Sequence, residues 1–255
     1  MELFDLHDKV AIVTGGNGGI GFGIARGLAQ AGADIAIAAR NDDKTQAAVE
    51  QLGSLGVRAI GLHADLVDEQ QVDGMVADTV AALGGVDILV ANAGMSIRKA
   101  PETYSLAEWS AVIAIDLTAV FACCRAVYPE LRRRGGGKIL TIGSMTSIFG
   151  LNTAAPYAAS KGGVVQLTRS LSSAWAKDNI QVNSILPGWI DTELTVRART
   201  NRPGLHEAVI DRTPFKRWGR PEDLAGAAVF LCSPASDFIT GTALPVDGGF
   251  SSSMF

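Results

Sequence analysis

Between the apolar run Val10-Ala11-Ile12-Val13 and the helical pattern that follows stands Thr14-Gly15-Gly16-Asn17-Gly18-Gly19-Ile20-Gly21, five glycines in eight residues. A strand that passes through such a turn directly into a helix is committed to a βα unit, because glycine admits the positive φ angles of the turn. It also lets the N–H groups at the helix start come close to an anion. The same alternation continues along the chain. Ile35-Ala36-Ile37-Ala38, Ala59-Ile60-Gly61-Leu62, Val86-Asp87-Ile88-Leu89-Val90, Lys138-Ile139-Leu140-Thr141-Ile142, Val182-Asn183-Ser184-Ile185-Leu186 and Ala243-Leu244-Pro245-Val246 read as strands. Helical patterns occupy roughly 20–31, 68–83, 106–134, 155–177 and 221–231.

Near-continuous apolar strands separated by helices imply burial on both faces of a sheet. The spacing therefore predicts an α/β fold: a single-domain, Rossmann-type, doubly wound parallel sheet of about seven strands with helices on both faces, holding its ligand beyond the carboxyl ends of the strands. No linker or repeat divides residues 1–255. Residues 189–220 are too many for a simple βα connection and are expected to form a lid over the substrate.

Composition narrows the function. With 47% hydrophobic and 19% charged residues the chain has ample material for one core. A net charge of −4 offers no footprint for nucleic acid. No run reaches the roughly 18–20 apolar residues of a membrane span, and the N-terminus lacks a basic region followed by an apolar one. A soluble, cytoplasmic protein with neither nucleic-acid nor membrane partner is expected. Cys123, Cys124 and Cys232 read as core residues in a reducing compartment, and His7, His63 and His206 lie too far apart for a metal motif, so no metal is expected.

A second constellation carries chemistry. Tyr157 and Lys161 are four apart on a predicted helix and share a face, and Ser144 follows a strand end thirteen residues before Tyr157. A phenol of pKa about 10 must exchange its proton near neutrality, which requires about 4 kcal/mol of phenolate stabilisation for ~3 units. One ammonium at about 4 Å supplies a term of that order at an effective dielectric near 20. Lys161 is thus expected to acidify Tyr157, with Ser144 orienting the substrate oxygen.

These residues, with Asp65 after the third strand, Asn92-Ala93-Gly94 after the fourth, Pro187-Gly188 after the sixth and the closing Val246-Asp247-Gly248-Gly249, make the chain resemble the short-chain dehydrogenase/reductase family over residues 8 to 250. The resemblance implies a nicotinamide-dependent oxidoreductase acting on secondary alcohols and ketones, with Ser144, Tyr157 and Lys161 catalytic. Gly15, Asn17, Gly18, Gly19, Ile20 and Gly21 would cradle the pyrophosphate. Asp65 and Leu66 would meet the adenine, Asn92, Ala93 and Gly94 the adenosine side, Tyr157 and Lys161 the nicotinamide ribose, and Pro187, Gly188, Ile190 and Thr192 the nicotinamide amide.

At the end of the second strand Arg40 and Asn41 stand where an acidic residue would bind the ribose of NAD; a guanidinium suits a 2′-phosphate, so NADP is favoured, with NAD as the alternative. The family's mid-helix Asn is here Asp116, expected to keep the geometry as a fourth catalytic member while its charge stabilises the protonated lysine. Ser96, Ser144, Met145, Asn152, Tyr157 and Trp189 are the expected substrate contacts. Gly-Gly-Asn-Gly-Gly-Ile-Gly, Ala-Ala-Arg-Asn and Leu-Pro-Gly-Trp-Ile-Asp-Thr are similar to members acting on sugars and sugar acids, such as gluconate and glucose dehydrogenases. The lid is rich in cations (Arg197, Arg199, Arg202, Arg212, Lys216, Arg217, Arg220), which either attract an anionic sugar acid or simply solvate the lid. A homotetramer is also implied. The competing reading is a protein that senses NAD(P) on the same scaffold without turnover.

Overall fold

Seven strands pair entirely in parallel in the order β3-β2-β1-β4-β5-β6-β7. They are β1 (Val10–Thr14), β2 (Asp34–Ala39), β3 (Ala59–His63), β4 (Ile88–Ala91), β5 (Gly137–Ile142), β6 (Ile180–Pro187) and β7 (Ala243–Val246). The computed structural model describes residues 2–253, without the side chains of Leu194, Arg197 and Asn201. The strand order turns back between β1 and β4, so the crevice above their carboxyl ends is the switch point where open α/β sheets bind ligands.

Alternating side chains of each strand face opposite helical layers. Ile12, Ala36, Leu89, Ile139 and Val182 pack with Met75, Cys123, Cys124, Val127, Leu131 and Val164. Ala11, Val13, Ile35, Ile37, Val90 and Leu140 pack with Ile24, Leu28, Leu52, Leu224 and Leu231 on the other side. The first layer carries α3 (Glu69–Leu83), α4 (Leu106–Ile113), α5 (Ala119–Arg133) and α6 (Ala155–Trp175); the second carries α1 (Gly19–Gln30), α2 (Asp42–Gly53) and α9 (Ala225–Cys232). A glycine stripe lets α1 approach α9: a Cβ on Gly27 would come within 2.6 Å of Ala225 Cβ. The seven strands, their parallel pairing and the two helical layers are those expected from the sequence.

Three local features differ from that expectation. The helix expected over 106–134 is two helices joined by a π-turn, Ala114–Thr118, a widening of one turn often found at functional sites. Residues 42–53, which the apolar pattern did not single out, form α2, capped by Asn41. The helical stretch 106–133 is also long and apolar enough, by length and composition alone, to cross a bilayer. In the fold Val112, Val120, Cys124, Val127 and Leu131 are buried instead, the last four in the core against the sheet.

The stretch 189–220, expected as a lid, contains α7 (Glu193–Asn201) and α8 (Leu205–Arg212), which have a small core of their own built from Ala198, Leu205, Val209 and Trp218 with Trp189 and Ile210. A short parallel ladder closes its base: Gly219 N–H donates to Trp189 O (2.9 Å) and Asp191 N–H to Gly219 O (2.8 Å).

Candidate functional site

The glycine turn is shaped for a ligand. Gly15 and Gly19 have φ of +61° and +51°, where a side chain would be strained. Gly18, the N-cap of α1, provides no side-chain cap, and a Cβ there would meet nothing within 4 Å. The first N–H groups of a twelve-residue helix thus face open space, as an anion site requires. Gly21 serves packing instead: its Cβ would stand 2.4 Å from both Gly15 O and Asn92 Nδ2. Asn92 Nδ2 donates to Thr14 O (2.9 Å) and Gly15 O (3.2 Å), while Thr14 Oγ1 accepts from the N–H groups of Asn92 and Ala93, so β1 and β4 are laced together beneath the turn. These residues fit a dinucleotide across the strand ends.

Other expected cofactor residues surround the same crevice. Asn17 Nδ2 donates to Thr45 Oγ1 (3.0 Å), tying the turn to α2, and Asn41 Oδ1 accepts from Lys44 N–H (2.9 Å). Arg40 is exposed and, among the described residues, takes part in no ion pair. Asp65 is half-buried, its Oδ1 accepting from Val67 N–H (3.2 Å), and Leu66 is buried beside it. Pro187 ends β6; Gly188 lies so close to Asp247 that a Cβ would come within 2.7 Å of its Cα. Ile190 is buried at the lid base, Ile20 packs against the α1 core, and Thr192 caps α7 with its methyl facing Gly19. Lys44 Nζ meets Glu193 at 2.8 Å, joining α2 to the lid.

At the reacting end, Ser144 begins a short 3-10 turn after β5 and its Oγ accepts from Thr146 N–H (3.1 Å). Tyr157 and Lys161 project from α6, with Lys161 Nζ 5.7 Å from the Tyr157 ring centre. Nζ is buried and donates to Ile142 O (2.9 Å). Asp116 is fully buried in the π-turn, with Oδ1 accepting from Met95 N–H (2.7 Å). A Cβ built on Gly94 would lie 3.0 Å from Asp116 Oδ1 and 3.6 Å from Lys161 Nζ, so acid, amine and glycine share one small cell.

Electrostatics here departs from the sequence expectation. Burial, then the Asp116 carboxylate, push the Tyr157 phenol up to about 12, while its hydrogen bond with Ser144 and the Arg98 guanidinium pull the other way. Lys161 is held below its usual range by burial, with Asp116 opposing, and Asp116 is raised by burial, with Lys161 opposing. The expectation that a single ammonium acidifies the phenol is not met by the protein's own groups, because that ammonium faces a carboxylate and both have left water.

The expected substrate residues fall into two groups. Ser96 Oγ is buried without a hydrogen-bond partner, and Trp189 lies across Trp218 edge to face at 5.6 Å. Met145 is turned into a small core with Val165 and Leu186, and Asn152 is exposed. One residue was missed. Arg98, on the β4–α4 connection, sits over Trp189 with its guanidinium 5.6 Å from the ring centre and faces Tyr157. Desolvation lowers its pKa, and among the described residues it has no carboxylate partner. Its only sequence signal was a basic residue four positions after Asn92-Ala93-Gly94. Much of the lid's charge is paired: Arg199 with Asp191, and Arg217 with Asp223. Arg197 lies outside the described side chains. Among the described residues no group of three or more His, Cys, Asp or Glu is arranged to hold a metal ion.

Comparison with known proteins agrees with this geometry. Residues 15–251 match the family model described as enoyl-(acyl carrier protein) reductase. The chain is 41% identical to the 5-keto-D-gluconate 5-reductase of Escherichia coli (strain K12), covering 97% of each chain. It is 39% identical to the 2-dehydro-3-deoxy-D-gluconate 5-dehydrogenase of Formosa agariphila, over 98% of this chain and 95% of that one. Among solved structures, the gluconate 5-dehydrogenase of Burkholderia cenocepacia J2315, in complex with NADP and tartrate, superimposes with a TM-score of 0.94 at 39% identity and 99% coverage of both. The glycine turn, the Ser144, Tyr157 and Lys161 grouping and these full-length similarities together place the chain in the short-chain dehydrogenase/reductase family of oxidoreductases.

Proposed function

We propose that the chain interconverts a secondary alcohol and a ketone on a sugar acid, using NADP. The observation that carries the substrate class is Arg98, a cation without a carboxylate partner that faces the proton-transfer tyrosine. A guanidinium so placed receives a carboxylate in two parallel hydrogen bonds and fixes the far end of the substrate. The full-length relatives act, by name, on gluconate-type acids. NADP is supported by the exposed Arg40 and by the NADP bound in the similar B. cenocepacia structure.

The cofactor, when bound, supplies or accepts the hydride. Gly15, Asn17, Gly18, Gly19, Ile20 and Gly21 form its pyrophosphate cradle, Asp65, Leu66 and the Asn92–Gly94 segment bound the adenosine, and Gly188, Ile190 and Thr192 bound the other end. Ser144 orients the substrate oxygen, Tyr157 gives its proton to a ketone or takes one from an alcohol, and Lys161 is placed to bind ribose hydroxyls. Asp116 holds the Met95 backbone, and Ile142 O holds the lysine amine. A sensing protein without turnover would leave Ser144, Tyr157 and Lys161 assembled to no purpose. Three free buried cysteines, with thiols pushed above their usual range by burial, suit a reducing cytoplasm. A homotetramer is supported by Leu106, Trp109 and Phe121 exposed on α4 and α5 and by the open β7 edge.

The test is nicotinamide absorbance with a panel of sugar acids, neutral polyols and simple ketones, run with both cofactors. Turnover confined to acids with NADP is expected. Binding of cofactor with no turnover on any member, or undiminished turnover in Tyr157→Phe, sinks the proposal.

A further inference from the structure

We infer that Asp116 tunes the direction in which Tyr157 moves a proton: buried in the same cell as the Lys161 amine, its carboxylate offsets that positive charge beside the phenol, which suits the hydroxyl to giving a proton to a ketone rather than taking one from an alcohol. This rests on the reading of Tyr157 as the proton-transfer group. The geometry is specific. Asp116 is fully buried, its Oδ1 is held by Met95 N–H, and its Oδ2 has no hydrogen-bond partner among the described residues. The cell it shares with Lys161 Nζ is bordered by Gly94, where an added Cβ would press to 3.0 Å of Asp116 Oδ1 and lie 3.6 Å from the amine. Lys161 Nζ spends one of its three donors on Ile142 O.

Burial raises the acid and lowers the amine, while each charge favours the ionised form of the other, so the carboxylate works against the ammonium in the field at the phenol. The charged or hydrogen-bonding groups facing the phenol are few. Lys161 comes from its own helix, Asp116 from the π-turn, Arg98 from the β4–α4 connection, and the neutral Ser144 from the turn after β5. With the lysine's charge offset, Arg98 is the cation that remains to favour the phenolate, and burial and the Asp116 carboxylate outweigh it. In ketone reduction the carbonyl carbon gains the hydride of a reduced nicotinamide, the oxygen gains the Tyr157 proton, and the phenolate is reprotonated from water. A phenol that stays protonated through neutral pH is ready for that step at every turnover. Alcohol oxidation requires the phenolate, which forms only toward alkaline pH.

The test titrates Tyr157 directly. The chain has only three tyrosines, so an ultraviolet phenolate titration of the enzyme alone, with the Tyr157→Phe curve subtracted, isolates this group. In the parent enzyme Tyr157 should ionise above the ordinary tyrosine midpoint of about 10. Asp116→Asn keeps the shape and the acceptor for Met95 N–H but removes the charge. Its Tyr157 midpoint should fall by about one pH unit or more. The acid limb of the alcohol-oxidation profile should move down with it. Asp116→Ala removes the same charge with a different shape and should move the midpoint in the same direction. A parent midpoint at or below about 10 overturns the inference, as does a midpoint unchanged or raised in the variants. Failure of the underlying reading is distinct: Tyr157→Phe would then keep its turnover, whatever the titration shows.

Discussion

Two glycines three residues apart in the nucleotide turn should fail in different ways. At Gly21 an added Cβ would sit 2.4 Å from Gly15 O and 2.4 Å from Asn92 Nδ2, well inside contact distance. The carbonyl belongs to a turn already fixed by a positive φ, so Asn92 is what yields, and it gives up its bonds to Thr14 O and Gly15 O. Two hydrogen bonds at about 1 kcal/mol each and overpacking of about 1–3 kcal/mol are offset by roughly 1 kcal/mol of improved helix propensity. Gly21→Ala should therefore cost about 2–4 kcal/mol, which for a chain of this size lowers Tm by roughly 5–15 °C.

At Gly18 the backbone is extended and the Cβ position is empty, so Gly18→Ala should change stability by less than about 0.5 kcal/mol. The new methyl would stand over the uncapped start of α1, the proposed pyrophosphate site, and on that proposal cofactor Kd should rise by about tenfold or more. Thermal unfolding without cofactor, paired with a cofactor-binding titration, separates the two. A Gly21→Ala variant melting within about 1 °C of the parent would refute the packing account. A Gly18→Ala variant with parental affinity would remove the anion from the start of α1.

Three further perturbations follow from the same contacts. Arg98→Met should raise KM for a sugar acid about 10- to 100-fold while leaving a neutral polyol unaffected, since a hydrogen bond to a charged group contributes about 1.5–3 kcal/mol; steady-state kinetics on both decides it. Glu108 closes the capping box of α4 and pairs with Lys99, and its carboxyl is drawn down from 4.5 to about 2, first by the Lys99 hydrogen bond. Because the folded pKa is the depressed one, this stabilisation is complete above pH 4.5 and fades as pH falls toward 2; Tm against pH should lose that slope in Glu108→Gln. Asp87 accepts from Val10 N–H (2.9 Å) and from Arg134 Nε and Nη2, and is 7% exposed. Asp87→Ala removes the acceptor of Val10 N–H and of Arg134 Nε, leaving Arg134, among the described residues, only its bond to Asp8 O, and should cost about 2–4 kcal/mol in urea unfolding.

The strands and the grouping of Ser144 with Tyr157 and Lys161 were readable because each depends on local pattern. An apolar run of four or five residues before glycines defines β1 wherever the rest of the chain goes, and Tyr157 and Lys161 share a face by helical geometry alone. Arg98 was not readable, since its place over Trp189 arises when the β4–α4 connection meets the lid, residues 91 apart in sequence. The π-turn was hidden for a related reason: Leu117 and Val120 keep an apolar rhythm through 114–118 that a regular helix would also show. α2 escaped because only Thr45, Ala48 and Leu52 are buried along it. The pairing of Asp116 with Lys161 was anticipated in sign, but its effect on the phenol depends on how completely both are shut from water.

Because α7 and α8 share a core of their own through Trp218 and its neighbours, and the base of the segment is closed on itself by one short ladder, it packs as a cassette that the Lys44–Glu193 ion pair and the Phe215 N–H bond to Gly248 O tie to the rest of the chain. Exchange of residues 193–217 between relatives of different preference should transplant selectivity while the melting profile of the strands stays put. Evolution of new selectivities in such a chain is thereby uncoupled from upkeep of its scaffold.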